Sequence, residues 1–452
     1  MYIEQFYIPK IAHSSYLLGG NESCAVIDPS RDVERYIEAA RKMNFKITHI
    51  LETHLHADFV SGHLDLFERT KAKIYAPASA NCKFKYQGLK EGDEFKIDHL
   101  TIRVLETPGH TPEHISYVVI DESRGKEPVV LFCGDTLFVG DVGRPDLFPG
   151  RADELASKLF YSLKKFKALP DFCEVLPAHG AGSLCGKAIG AKRSSTIGYE
   201  KRYNLPLKLE SESEFINSLI NDMPPVPDHF TRCSNINCQG PQLVHKLAKI
   251  SSLSPREFSK KAESEEYVVL DSRSYSGFAG QHINNAYSID FEGNFPTFAG
   301  WVIPPDKKIL LVLPDYISAQ EVALWLYRVG LDNIYGYLEG GMFEWAKNGL
   351  SIHHLDQISA SQLESLWKNN SGQVLDVRTK SEFEQYHLEG AINISAADLR
   401  ERYRELNPEE KYYIICNTGH RSTLAASILL QRGFKKLVNV AGGMTGWQAL
   451  NK

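Results

Sequence analysis

Short apolar runs that stop at polar residues recur through the first half of the chain. AVIDPS ends at Asp28, KITHIL feeds the polar stretch THLHADFVSGH (53–63), and the run from Leu100 to Leu105 comes just before His110. VVLFCGDTLF (129–138) carries Asp135 and CEVLPAHG (173–180) carries His179. Runs of this kind, bounded by polar and glycine residues, predict strands that each present one polar group at their end. GlyGly at 19 and 20 predicts a hairpin turn, and VERYIEAARKM (33–43) has the apolar spacing of a helix. Strand, helix, strand and polar loop is the opening of an α/β layer fold.

The second half repeats itself. YVVLDSRSYSGFAGQHINNAYSI (267–289) returns as GQVLDVRTKSEFEQYHLEGAINI (372–394), and LEGGMFEWAKNG (338–349) returns as VAGGMTGWQALN (440–451), so duplication of one α/β unit is expected. Within the second copy, KYYIICNTGHRSTLAASILLQRGF predicts a strand ending at Cys416, a loop, and a helix from near Ser422. Aligning Gly330 with Gly433 places Leu313 where the second copy has Cys416, and Ser318 where it has Arg421. Between the halves, residues 222–242 are rich in proline and small polar residues, which marks a linker or an ordered excursion. The expected divisions are therefore 1–221, 222–242, 243–352 and 353–452.

Length and composition narrow the picture. A chain of 452 residues with 43% apolar and 24% charged residues fits a soluble protein of about three domains. A net charge of −5 argues against a basic nucleic-acid binder. The start, MYIEQFYIPK, lacks a cationic segment followed by an apolar one, and no run is long enough to span a bilayer, so a cytoplasmic location without membrane association is expected. The eight cysteines are expected as free thiols. Cys233 and Cys238 have no second pair at zinc-site spacing and are read as non-metal.

The candidate chemistry starts at His54, His56 and Asp58. In extended backbone, residues two apart face one side, so these three metal-capable groups share a space. Arg144 in VGRPD is a candidate to hold the metal loop through carboxylates. Cys185, six residues past His179, is read as a buried thiol close enough in chain to act as a relay.

Through Asp28, the HxHxD of His54, His56 and Asp58, and then His110, Asp135 and His179, the first 205 residues resemble the metallo-β-lactamase superfamily. The resemblance implies an αββα sandwich with metal groups along one rim. Binuclear zinc members carry His directly after the motif aspartate; here that residue is Phe59, which puts the second metal site in doubt. TPGHTPEH and GDTLFVGDVGRPD are similar to two branches, the glyoxalase II hydrolases and the persulfide dioxygenases. The second branch implies one Fe(II) per chain held by His54, His110 and Asp135, a two-histidine, one-carboxylate set with open positions. His56, Asp58 and His179 would then sit behind the ligands or hold water. Lys201, Arg202 and Asn204 resemble the place where thiol-binding members grip the acidic end of a carrier thiol.

Both later copies resemble the rhodanese domain, an α/β fold with a parallel sheet, from LDxR to GGMxxW. In the second, Cys416 would face a helix N-terminus and backbone N–H groups with Arg421 beside it, which stabilises a thiolate or a persulfide. In the first, Leu313 cannot carry sulfur, so that copy is expected to be inactive. Together the resemblances imply oxidation of a low-molecular-weight thiol persulfide by oxygen to sulfite, with Cys416 passing sulfane sulfur to sulfite as thiosulfate. A binuclear zinc thioester hydrolase with accessory rhodanese domains and a non-catalytic sulfane-sulfur sensor are the alternatives. The carrier thiol and the oligomeric state, a homo-oligomer included, stay open.

Overall fold

A computed structural model describes residues 1–221, 223–369 and 371–450. The expected linker boundary at Asp222 and the last residue of the repeat, Asn451, lie outside the described residues. The chain divides into two units, one of Met1–Lys246 with Tyr327–Gly330, the other of Leu247–Leu326 with Leu331 onward.

In the first unit the alternating runs become two six-stranded sheets. One is ordered Tyr2–Ile8, His13–Gly19, Ser23–Ile27, Lys46–Leu51, Lys73–Pro77, Gln87–Leu89; the other is ordered Ser195–Thr196, Glu174–Pro177, Pro128–Gly134, Ile115–Asp121, Leu100–Glu106, Glu94–Ile97. The expected hairpin joins His13–Gly19 to Ser23–Ile27, and the expected helix spans Glu34–Lys42. Inner-facing residues of both sheets, among them Leu18, Leu51, Leu100, Tyr117 and Phe132, form one buried core. Each such side chain contributes about 1.5–3 kcal/mol on leaving water. The outer faces are covered by helices, Glu34–Lys42 and His63–Thr70 on one sheet and Ala152–Lys167 with Glu212–Ile220 on the other. The layers are α, β, β and α, as the resemblance implied.

The second unit holds two five-stranded sheets with the same strand order, every pairing parallel. The first is Ser251–Leu253, Ile334–Leu338, Lys308–Val312, Tyr267–Asp271, Tyr287–Ser288; the second is Asp356–Ile358, Leu437–Val440, Tyr412–Ile415, Gln373–Asp376, Ile392–Asn393. Parallel strands covered on both faces read as continuous apolar runs, which is why KILLV and YYII show no alternation. Register supports the sequence alignment. Asp271 pairs with Val312 as Asp376 pairs with Ile415, so Leu313 and Cys416 occupy the same place, one residue past a central strand.

Residues 223–242 contain the helix His229–Gln239. Asn237 on that helix donates from Nδ2 to the carbonyls of His56 (2.8 Å) and Phe59 (2.9 Å) and accepts from Ser61 N–H (2.8 Å). The segment is thus an ordered excursion that anchors the His-rich loop. Among the described residues no helix is long and apolar enough to cross a membrane. None of the eight cysteines is in a disulfide.

Candidate metal centre and thiol loop

Four strand ends bring the ligand candidates together. His54 follows Lys46–Leu51, His110 follows Leu100–Glu106, Asp135 follows Pro128–Gly134 and His179 follows Glu174–Pro177. Donor atoms of His54, His110 and Asp135 lie within 4.8 Å of one another and all three residues are buried. His110 Nε2 is 3.4 Å and His54 Nε2 3.9 Å from Asp135 Oδ2.

Each imidazole is oriented from behind. Asp28, at a positive φ of 50°, accepts Thr53 N–H at 2.8 Å and the Thr53 hydroxyl at 2.9 Å. With its hydrogen directed at Asp28, that hydroxyl is left to accept Nδ1–H from His54 at 2.9 Å. His110 Nδ1–H donates to the Arg144 carbonyl at 2.9 Å. Both rings therefore present a bare Nε2 inward, and neither Nε2 has a hydrogen-bond partner. Burial lowers the pKa of both, with neighbouring histidines adding to the effect at His54, and a neutral imidazole is the form that binds metal. Burial alone would raise the Asp135 carboxyl, but His179 and His110 hold it below the usual carboxylate range. Two unpartnered imidazole nitrogens and an ionised carboxylate fit a divalent ion.

His179 sits between two carboxylates. Its Nδ1 is 2.8 Å from Asp135 Oδ1, and its Nε2 is 2.8 Å from Asp58 Oδ2 as an ion pair. Burial opposes its charge, yet the two carboxylates raise its pKa well above the ordinary value. His56 Nε2 lies 3.2 Å from Asp28 Oδ1, behind the ligand set. Phe59, fully buried, packs its ring 4.1 Å from His13 and 4.4 Å from His56.

Phe59 does not leave the neighbouring region without metal-capable donors. Asp58, His179 and Cys185 have donor atoms within 4.8 Å of one another, all buried, so a second donor set that includes a thiol adjoins the first through His179. Burial first, and then Asp58 and Asp135, push the Cys185 thiol well above its ordinary pKa. A metal ion there would have to take Asp58 and Nε2 of His179 away from each other.

Other candidates find defined places. Arg144 is buried, grips both oxygens of Asp146 (2.7 and 2.8 Å), donates to the carbonyls of Leu184 and Pro224, and so closes the loop whose carbonyl orients His110. Lys201 Nζ is paired with Asp171 at 2.7 Å, and Arg202 is exposed beside the Tyr203 ring. Asn204 is buried and joins Glu200 to the Asp141 carbonyl.

His114 was not singled out in the sequence. It accepts the Asp135 N–H at 3.0 Å and stacks on His54 at 4.7 Å, holding two ligands at once. Gly134 is required here: at φ 52°, a Cβ would come within 2.4 Å of His114 Nε2. The only sequence signal was a second histidine four residues past His110.

In the second rhodanese copy the helix begins at His420, two residues earlier than expected. Cys416, 1% exposed, accepts Gly419 N–H at 3.1 Å, with Ser422 Oγ at 3.5 Å. Arg421 does not turn to the sulfur in this structure. Its two terminal nitrogens grip Glu382 at 2.7 and 2.8 Å, and Asn417 Nδ2 donates to the same carboxylate at 2.8 Å. The loop is thereby braced against its own domain.

The sequence matches the family described as Metallo-beta-lactamase superfamily over residues 9–179, and that described as Rhodanese-like domain over 254–348 and 359–450. A hydroxyacylglutathione hydrolase of Rhodopseudomonas palustris is 35% identical over 204 residues, 42% of this chain and 75% of that protein. A second, from Rhodospirillum rubrum, is 39% identical over 150 residues, with 33% of this chain matching 54% of its length. A solved metallo-beta-lactamase from Staphylococcus aureus matches with a TM-score of 0.68 at 35% identity, over 75% of this chain and 98% of that one.

Proposed function

The chain belongs to the metallo-beta-lactamase superfamily and carries two rhodanese-like domains behind that domain, and from this we propose that it is an iron-dependent persulfide dioxygenase joined to a sulfurtransferase. The observation that carries the proposal is the buried set of His54, His110 and Asp135, two bare imidazole nitrogens and one carboxylate, on the same chain as the Cys416 loop. Fe(II) held by these three would supply redox chemistry and open coordination positions. Around it, the Asp28 and Thr53 pair fixes the His54 ring, the Arg144 carbonyl fixes His110, and His179 holds a proton between Asp58 and Asp135. The overall reaction consumes one persulfide, one oxygen molecule and one water and gives thiol, sulfite and protons. The Cys416 thiolate takes the outer sulfur of a second thiol persulfide, whose S–S bond breaks to release its thiol; sulfite then attacks the outer sulfur of the cysteine persulfide, that S–S bond breaks, and thiosulfate leaves while the thiolate is restored. The Gly419 N–H receives that thiolate.

Zinc-dependent thioester hydrolysis is the second reading. It is favoured by the relative named hydroxyacylglutathione hydrolase and by the second donor set, Asp58, His179 and Cys185. Metal analysis with oxygen uptake decides between them. One iron per chain and oxygen loss that depends on a thiol persulfide are expected; two zinc ions and thioester cleavage without oxygen uptake would overturn the dioxygenase.

A further inference from the structure

The first rhodanese-like domain has no thiol, yet two of its side chains reach the thiol loop of the second. Asp290 is 6% exposed and accepts two backbone N–H groups, Tyr275 at Oδ2 and Glu292 at Oδ1, both at 3.0 Å. The same Oδ2 faces His420 Nδ1 at 2.9 Å. The Tyr275 ring stands edge-on to His420 at 5.2 Å, and it lies so close to Gly419 that an added Cβ would meet it at 3.1 Å. Gly419 is the residue whose N–H binds the Cys416 sulfur, and His420 is the next residue along.

These contacts are not a relic of the duplicated fold. At the matching places the second copy has Lys380 and Ser395, neither of which could play the same part. At 2.9 Å, Asp290 Oδ2 keeps the buried Nδ1 edge of the His420 ring turned inward. Its side chain remains 35% exposed, so the rest of the ring faces outward at the loop. The cation of the loop, Arg421, has both terminal nitrogens on Glu382. His420 is the loop side chain left with an outward edge.

We propose that the cysteine-free domain completes the sulfur-transfer site: Asp290 is a positioning residue that holds His420 where it receives the anionic sulfur acceptor, sulfite, at the Cys416 loop. The proposal rests on the sulfurtransferase reading and gives the inactive copy a part in it. One charge-assisted hydrogen bond to the acceptor is at stake, which corresponds to about a tenfold change in binding.

The test uses the full chain and two readouts. In the first, sulfite protects Cys416 from iodoacetamide, read by mass spectrometry, which needs no turnover. Asp290→Asn is expected to raise the half-protecting sulfite concentration about tenfold. In the second, steady-state transfer, the same variant is expected to raise KM for sulfite by the same factor, with kcat falling less than twofold and the neutral acceptor dithiothreitol far less affected. Asp290→Glu should recover most of the loss. His420→Gln should reproduce it, and Asp290→Asn should add nothing in the His420→Gln background. Absence of protection in the wild-type chain, a sulfite shift under twofold in Asp290→Asn, equal losses for both acceptors, or full additivity in the double variant would each overturn the proposal. Protection that follows this pattern in a chain that transfers no sulfane sulfur would leave the Asp290 role in place and remove the transferase reading instead.

Discussion

At Thr53 one hydroxyl decides which nitrogen of His54 is free for a metal. It donates to Asp28 and accepts from His54 Nδ1–H, so Thr53→Val, close in volume, removes the constraint without emptying the space. Metal affinity is expected to fall about 10–100-fold, measured by competition with a chelator, while the circular dichroism stays unchanged. Phe59 is open to the opposite experiment. Phe59→His restores the donor that binuclear relatives carry and should raise the bound metal toward two ions per chain; a stoichiometry unmoved from one would show that the phenyl ring is not what closes the second site. That His54, His110 and Asp135 gather in one place was legible in the sequence, because a strand puts its terminal polar residue at a fixed edge. Cys185 was also legible, six residues past His179, but the partners His114 and Asn237 were not, because their roles depend on contacts across the fold, such as Asn237 with His56, that no local spacing encodes.

Among the elements, the helix Lys380–Gln385 carries Glu382, the carboxylate that braces the thiol loop. Burial alone would raise its pKa, but Arg421 lowers it from 4.5 to about 2. The folded value lies below the unfolded one, so the pairing stabilises the domain above about pH 4.5 and fades as pH falls toward about 2. Glu382→Gln should therefore cost about 1–2 kcal/mol at pH 7, discounted for partial exposure, and the gap from wild type should close over that acid window. Urea unfolding read by hydrogen exchange in Tyr412–Ile415 checks it. At this scale the sequence reading was strongest where periodicity was clean, as in Glu34–Lys42. It was weakest at 222–242, where proline and small polar residues concealed the helix His229–Gln239, whose stability comes from packing rather than from its own residues.

For the whole molecule, the two proposed chemistries fall on different domains and should be separable by one atom. Cys416→Ser removes the sulfur carrier without touching the His54, His110 and Asp135 set. Oxygen uptake and sulfite formation from a thiol persulfide should persist, while thiosulfate formation should be lost; unchanged thiosulfate would remove Cys416 from the scheme. The tandem arrangement has a further consequence for how the chain reaches its native state. Two sheets of identical strand order, built from related segments, make each half the most attractive wrong partner for the other while both are unfolded. Dilution from denaturant should then give a slow phase from strands exchanged between copies, and a chain truncated before Ser359 should lack it. Synthesis from the N-terminus avoids the exchange, since the thiol-free copy can close before its twin has emerged.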